Sequence, residues 1–143
     1  MGGRSRGQPA GGRDVLRVLV LEDDEDLRSI LCELLSAVGA EACVGAGSLA
    51  ELERQRVEAL GCGLAILDIN LGAGVPSGLE AYQWLRGNGF SGRTVFLTGH
   101  ARSHPLVRQA LELPHVQVLS KPIDSKVLLS LVVESGSHGT GTT

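Results

Sequence analysis

Apolar residues in this chain fall into two kinds of run. Arg17-Val18-Leu19-Val20-Leu21 and Leu64-Ala65-Ile66-Leu67 are short and unbroken, as strands buried on both faces of a parallel sheet are. Elsewhere apolar positions return every three or four residues, as on one helical face. Leu27, Ile30, Leu31, Leu34, Leu35 and Val38 form the first such stretch, and Gly39 terminates it. The alternation predicts strands at Arg17–Glu22, Glu41–Gly45, Leu64–Asp68, Thr94–Thr98 and Val116–Ser120. A helix follows each. The second opens on a capping box, Ser48 with Glu51 three residues on, and ends near Leu60. The third, Gly78–Arg86, turns Leu79, Tyr82 and Leu85 inward. The fourth runs from Pro105, a residue tolerated at a first helical position, to about Leu113. Asp124 caps the fifth, whose apolar face holds Val127, Leu128, Leu131 and Val132. Strand and helix alternating five times with short connections imply an α/β fold with a central parallel sheet covered by helices on both faces. One domain is expected over residues 15–134. The Gly-, Ser- and Thr-rich stretches 1–14 and 135–143 are expected to be disordered tails.

The first and third strands close in carboxylates: Glu22-Asp23-Asp24 and Asp68. Ligand sites of open parallel sheets lie beyond the carboxyl ends of the strands, so Glu22, Asp23 and Asp68 should converge. Carboxylates held together repel unless a hard cation lies between them, and Mg²⁺ is the usual one. Glu25 and Asp26 continue the run, so a solvated helix start is the plainer reading of Glu22 and Asp23 taken alone, and Asp24 is expected to be solvated. Thr98 ends the fourth strand, and Lys121, followed by Pro122, ends the fifth. A metal-binding acidic pair, a carboxylate, a hydroxyl and an ammonium suit phosphoryl transfer to Asp68. The carboxylate is the nucleophile, the metal neutralises incoming charge, and Thr98 and Lys121 donate to phosphoryl oxygens. His100 and His104 stand four apart but lack an evident third ligand for zinc.

The chain's 143 residues and formal charge of −3 suit one core and give no electrostatic reason to expect nucleic-acid binding. Aromatics are 3% against 43% hydrophobic residues, so the core must be Leu, Val, Ile and Ala. Cys32, Cys43 and Cys62 make no CxxC pair and read as reduced, small hydrophobes. No apolar run approaches the roughly 20 residues of a membrane span, and the N-terminus lacks the apolar stretch of a signal peptide. Both point to the cytoplasm.

The stretches Val-Leu-Val-Leu-Glu-Asp-Asp (18–24), Ile-Leu-Asp-Ile-Asn-Leu (66–71), Ser-Gly-Leu-Glu (77–80), Phe-Leu-Thr-Gly (96–99) and Ser-Lys-Pro-Ile (120–123) together resemble the receiver domain of bacterial two-component response regulators. The resemblance spans about residues 16–134. It implies a flavodoxin-like (βα)₅ receiver fold and phosphorylation at Asp68. It also implies Mg²⁺ on Glu22, Asp23, Asp68 and the backbone carbonyl of Asn70, with Thr98 and Lys121 on the phosphoryl oxygens and a cis Lys121–Pro122 bond. The implied phosphoryl donor is a histidine kinase or histidine phosphotransfer protein. The implied output is a downstream protein of unknown identity, and homodimers through helix four, strand five and helix five are a further implied assembly. Such a protein catalyses at most its own phosphorylation and dephosphorylation. No DNA-binding or enzymatic output domain is expected after residue 134, so the chain reads as a single-domain response regulator.

Two positions depart from the family pattern. The loop between Asp68 and Gly78 is about two residues longer than usual, and Val118 stands where many members carry the aromatic half of a threonine–aromatic switch. Two rival readings remain. One is a degenerate receiver that only docks to partners. The other is a haloacid dehalogenase-type phosphohydrolase, which wants a second Asp where Asn70 stands.

Overall fold

The computed structural model describes residues 15–138, so the expected tail at 1–14 and the end of the other, 139–143, lie outside the described residues. Five parallel strands form one sheet in the order β2-β1-β3-β4-β5: β1 (Arg17–Leu21), β2 (Ala42–Ala46), β3 (Leu64–Asp68), β4 (Arg93–Thr98) and β5 (Val116–Ser120). The helices are α1 (Glu25–Ala37), α2 (Leu49–Arg54), α3 (Arg56–Leu60), α4 (Gly78–Gly87), α5 (Pro105–Leu111) and α6 (Ser125–His138). This is the doubly wound, flavodoxin-like arrangement of a parallel sheet with order 2-1-3-4-5.

Because successive strand residues face opposite ways, the sheet carries two cores. Val18, Val20, Leu64, Ile66, Val95 and Leu97 pack under Leu31 and Leu35 of α1 and Leu128, Leu131 and Val132 of α6. Leu19, Leu21, Ala65, Leu67 and Phe96 pack under the helices of the other face, meeting Leu52, Ala59, Leu79, Leu85 and Val107. β3 is buried along its whole length, as its unbroken apolar run requires. Tyr82 is half-buried and lies 5.6 Å from Phe96, ring centre to ring centre.

Four expectations need correction. The second helix breaks at Gln55, whose side chain turns back to donate to the Gly45 carbonyl at 2.9 Å, giving separate α2 and α3. Glu51 completes no box with Ser48, since its carboxylate accepts from the Gly47 N–H at 2.6 Å; a full capping box forms instead at Ser77 and Glu80. The last helix continues to His138, past the boundary set at 134, and Ser135 within that extension is buried. Cys32 and Cys43 are joined in a disulfide, not reduced. After α1 the chain reverses at Gly39, in the left-handed region at φ 115°, and β2 then runs back beneath the helix. That return brings two residues 11 apart in sequence to a Cα separation of 5.7 Å. Cys62 stays a buried free thiol, and burial pushes it up to about 11.

Gly78, the first residue of α4, lies against the backbone of Asp68. A Cβ there would stand 2.1 Å from the Asp68 carbonyl oxygen, whereas at Gly87, in the same helix, nothing lies within 4 Å. Gly78→Ala should therefore lower stability by about 1–3 kcal/mol, as overpacking does. Gly87→Ala should raise it by about 0.4–1 kcal/mol through lost unfolded-state entropy. Urea unfolding of the two variants checks this, and equal midpoints would contradict it.

Candidate functional site

In the order β2-β1-β3-β4-β5 the chain leaves β1 toward one sheet edge and β3 toward the other. The crevice at the carboxyl ends of these two strands is the switch point where doubly wound sheets hold ligands. Glu22 follows β1 there, its N–H donating to the Ala46 carbonyl at 3.0 Å, and Asp68 closes β3. The β4–β5 register, with Thr98 opposite Ser120, carries Lys121 one residue beyond the strand pair. The Lys121 N–H donates to the Thr98 carbonyl at 2.8 Å. The Lys121–Pro122 bond is cis.

Lys121 binds the two buried carboxylates together. Its Nζ lies 2.9 Å from Glu22 Oε1 and 3.0 Å from Asp68 Oδ2. Glu22 is 2% exposed and Asp68 5%. Burial raises both carboxyls above their ordinary 4.5 and 3.8, and the hydrogen bonds from Lys121 pull them back without offsetting it. Burial acts to lower Lys121, but its bonds to Glu22 and Asp68 outweigh that and hold it above 10.5. The remaining oxygens are also engaged: Glu22 Oε2 accepts from the Asp24 N–H at 3.1 Å, and Asp68 Oδ1 from the Asn70 N–H at 3.3 Å.

Carboxylate oxygens of Glu22, Asp23 and Asp68 lie within 4.8 Å of one another. Three carboxylates against one ammonium leave two negative charges when all are ionised, which one divalent ion would neutralise. All-oxygen donors of this kind fit Mg²⁺. They line an open cleft of about 440 Å³ together with Asn70, His100 and Lys121. Thr98 does not line it: the residue is 3% exposed, and its Oγ1 accepts from the His100 N–H at 2.9 Å. That bond leaves the hydroxyl its own proton to donate.

Neighbouring residues hold this arrangement in ways the sequence alone did not reveal. Asp24, expected to be solvated, is the N-cap of α1 and accepts from the Leu27 N–H at 3.1 Å. Arg28, one turn into α1, donates to the Glu22 carbonyl at 2.6 Å. Asn70 accepts from the Gly72 N–H at 3.0 Å, and its amide nitrogen meets His100 Nε2 at 3.1 Å. His100 stacks on His104 at 4.4 Å, and His104 Nδ1 caps α5 by accepting from Leu106 N–H, an arrangement of N-capping rather than zinc ligation. The spacing of Asp24 from Leu27 was a readable cap signal; the Arg28 and His100 contacts depend on tertiary placement.

Because Lys121 is the cation shared by two buried carboxylates, Lys121→Met should cost about 3 kcal/mol near neutral pH, the low end for breaking a buried pair. The sign with pH follows from the raised carboxyls. Their folded forms hold protons more readily than their unfolded forms, so their contribution is greatest below the ordinary values and falls as pH rises through the raised ones. Without Lys121 both carboxyls rise further. The deficit against the wild type should therefore shrink as pH falls from 7 toward the ordinary Glu value of 4.5. Denaturant unfolding across that range checks it, and a deficit constant with pH would contradict it.

Comparison with known proteins accords with this geometry. The family model described as the response regulator receiver domain matches residues 18–133. A search of curated proteins found no match. Among solved structures, a response regulator receiver domain protein from Clostridium thermocellum superposes with a TM-score of 0.72 at 20% identity, over 88% of this chain and 98% of that one. The Vibrio cholerae chemotaxis protein CheY4 gives 0.70 at 20% identity, over 85% and 98%. The receiver domain of NtrX from Brucella abortus gives 0.70 at 21% identity, over 84% and 98%. A further neighbour is the N-terminal domain of a response regulator/sensory box/GGDEF three-domain protein from Carboxydothermus hydrogenoformans, with a TM-score of 0.68 at 18% identity. At such identities the superpositions establish the fold alone. The family model, matching most of the chain, establishes that this protein belongs to the response regulator receiver domain family.

Proposed function

We propose that Asp68 accepts a phosphoryl group from a phosphohistidine on a histidine kinase or histidine phosphotransfer protein. The observation that carries this reading is Lys121 joined to Glu22 and Asp68, with Asp23 beside them. In the step, an Asp68 carboxylate oxygen attacks phosphorus. The O–P bond forms as the P–N bond to the imidazole breaks, and the imidazole leaves. Lys121 would shift its contact from Asp68 Oδ2 to a phosphoryl oxygen, and the Thr98 hydroxyl would donate a hydrogen bond to another. Glu22, Asp23, Asp68 and the Asn70 carbonyl would hold Mg²⁺, which when bound supplies charge neutralisation at the reacting oxygens. The reaction is the protein's own phosphorylation and later hydrolysis, not turnover of an outside substrate.

Signalling would then pass by protein contact. β5 is an edge strand, flanked by α5 and α6, with Leu111 and Leu129 exposed on those helices, which supports this face as one for a partner or a second copy. Val118 on β5 is half-buried and has no ring to swing, so the loops after Asp68 and Thr98 would carry the change. Among the described residues no helix is long and apolar enough to cross a membrane. A cytoplasmic location, where such kinases present their phosphohistidines, fits the reading. Asn70 stands where a haloacid dehalogenase would need its second Asp, which disfavours the hydrolase.

Incubation with acetyl phosphate and Mg²⁺ should add one phosphoryl group, seen by mass spectrometry and removed by hydroxylamine as an acyl phosphate is. Asp68→Asn should abolish the adduct. Full labelling of that variant would sink the assignment, and failure of the wild type to label would favour a docking-only receiver.

A further inference from the structure

We propose that Cys32 and Cys43 are a reversible thiol–disulfide couple whose oxidised state tightens the acidic site through Arg28. The couple joins α1 to β2, the edge strand next to β1. Both cysteines are half-buried, so a small thiol or disulfide can reach them.

Arg28 and Cys32 are four apart on α1 and therefore share a face, one turn from each other. Cys43 and Gly45 are two apart on β2 and share a face of the strand. The two pairs meet in register. Cys32 is bonded to Cys43, while the Arg28 side chain lies over Gly45 and Gly47, where an added Cβ would stand 3.3 Å from Arg28 Cδ and 3.0 Å from Arg28 Nη1. The guanidinium ends on the Glu22 carbonyl at 2.6 Å, and the Glu22 N–H is held by the Ala46 carbonyl of β2. Both backbone holds on Glu22 thus come from the two elements that the disulfide ties together. Reduction releases α1 from β2 one turn from Arg28 and loosens both. Arg28 acts here as a positioning residue, placing Glu22 without touching the reacting atoms.

Oxidation is an exchange with a low-molecular-weight disulfide. One cysteine thiolate attacks it and displaces a small thiol, and the second cysteine then attacks the mixed disulfide and displaces the other. Two protein thiols and one small disulfide become one protein disulfide and two small thiols, so electrons and protons balance. Disulfides in reducing compartments, where they occur, are commonly transient and redox-sensing.

The metal half of this inference rests on the reading of Glu22, Asp23 and Asp68 as a Mg²⁺ site. Oxidised and reduced protein, prepared in a buffer of small thiol and disulfide and verified by mass, should be compared by Mg²⁺ titration and by amide hydrogen exchange. The oxidised form should bind Mg²⁺ about fivefold tighter, the low end of common coupling between sites. Its Glu22 amide and those of β2 should exchange more slowly. Cys32→Ser and Cys43→Ser should each fix both readouts at the reduced values, and Cys62→Ala should leave the response intact. Arg28→Ala should still form the disulfide yet bind Mg²⁺ alike in both states. Failure of the disulfide to form, identical readouts in the two states, or a response surviving in Cys32→Ser would overturn the proposal. Mg²⁺ binding by neither form would contradict the metal reading, and exchange at Glu22 would then decide the coupling by itself.

Discussion

The shared ion pair of Lys121 with Glu22 and Asp68 is the constraint on which the rest of the site depends. Two carboxylates that are almost wholly buried lie at the ends of adjacent strands, and one partly exposed ammonium reaches both. Burial of charge without compensation is strongly unfavourable. The pair therefore persists only because β5 ends where it does and the backbone after Thr98 holds Lys121 in place. The sheet supplies this precision cheaply, since its register is set by two apolar cores and not by the polar residues. The same ion pair is also incomplete. With Asp23 counted, it keeps an excess of two negative charges when all are ionised, which a divalent cation would neutralise.

Support for the pair comes from backbone close approach as much as from side chains. Gly78 allows α4 to start directly against the Asp68 carbonyl, and its N–H donates to Ile69 at 2.8 Å. Asp24 caps α1, and Arg28 of the same helix reaches back to Glu22. The acidic residues after β1 thus do different work. Glu22 is a buried partner of Lys121, Asp23 faces the cleft, and Asp24 begins a helix. Three adjacent carboxylates that look interchangeable in sequence are separated by where β1 stops.

Much of this was readable from the chain. The unbroken run before Asp68 marked a doubly buried strand, and alternation with helices implied a parallel sheet whose ligand site lies at the carboxyl ends of its strands. The meeting of Glu22, Asp23 and Asp68 could therefore be inferred from the sequence, whereas the strand order came from the structure. Periodicity reports which face a residue takes but not what lies opposite. That is why the Cys32–Cys43 bond was misread as two reduced thiols, and why the contacts of Arg28 with Glu22 and His100 with Asn70 were missed. Gln55 looked like an ordinary helical residue, yet it stands between α2 and α3 with its side chain bonded to the Gly45 carbonyl, a contact that periodicity does not report. Ser135 looked like the start of a Ser- and Gly-rich tail, whereas it is a buried residue inside α6, which runs on to His138. Local composition lost to tertiary packing in each case.

The proposed role of the Lys121-bridged cluster is to receive a phosphoryl group on Asp68. A crystal structure with Mg²⁺ and a stable phosphoryl mimic such as beryllofluoride tests it most directly. The mimic should be bonded to an Asp68 carboxylate oxygen, with Lys121 Nζ and Thr98 Oγ1 donating to it. The metal should touch Glu22, Asp23, Asp68 and the Asn70 carbonyl. A mimic bound elsewhere, or Lys121 still bridging Glu22 and Asp68 with no metal beside them, would contradict it.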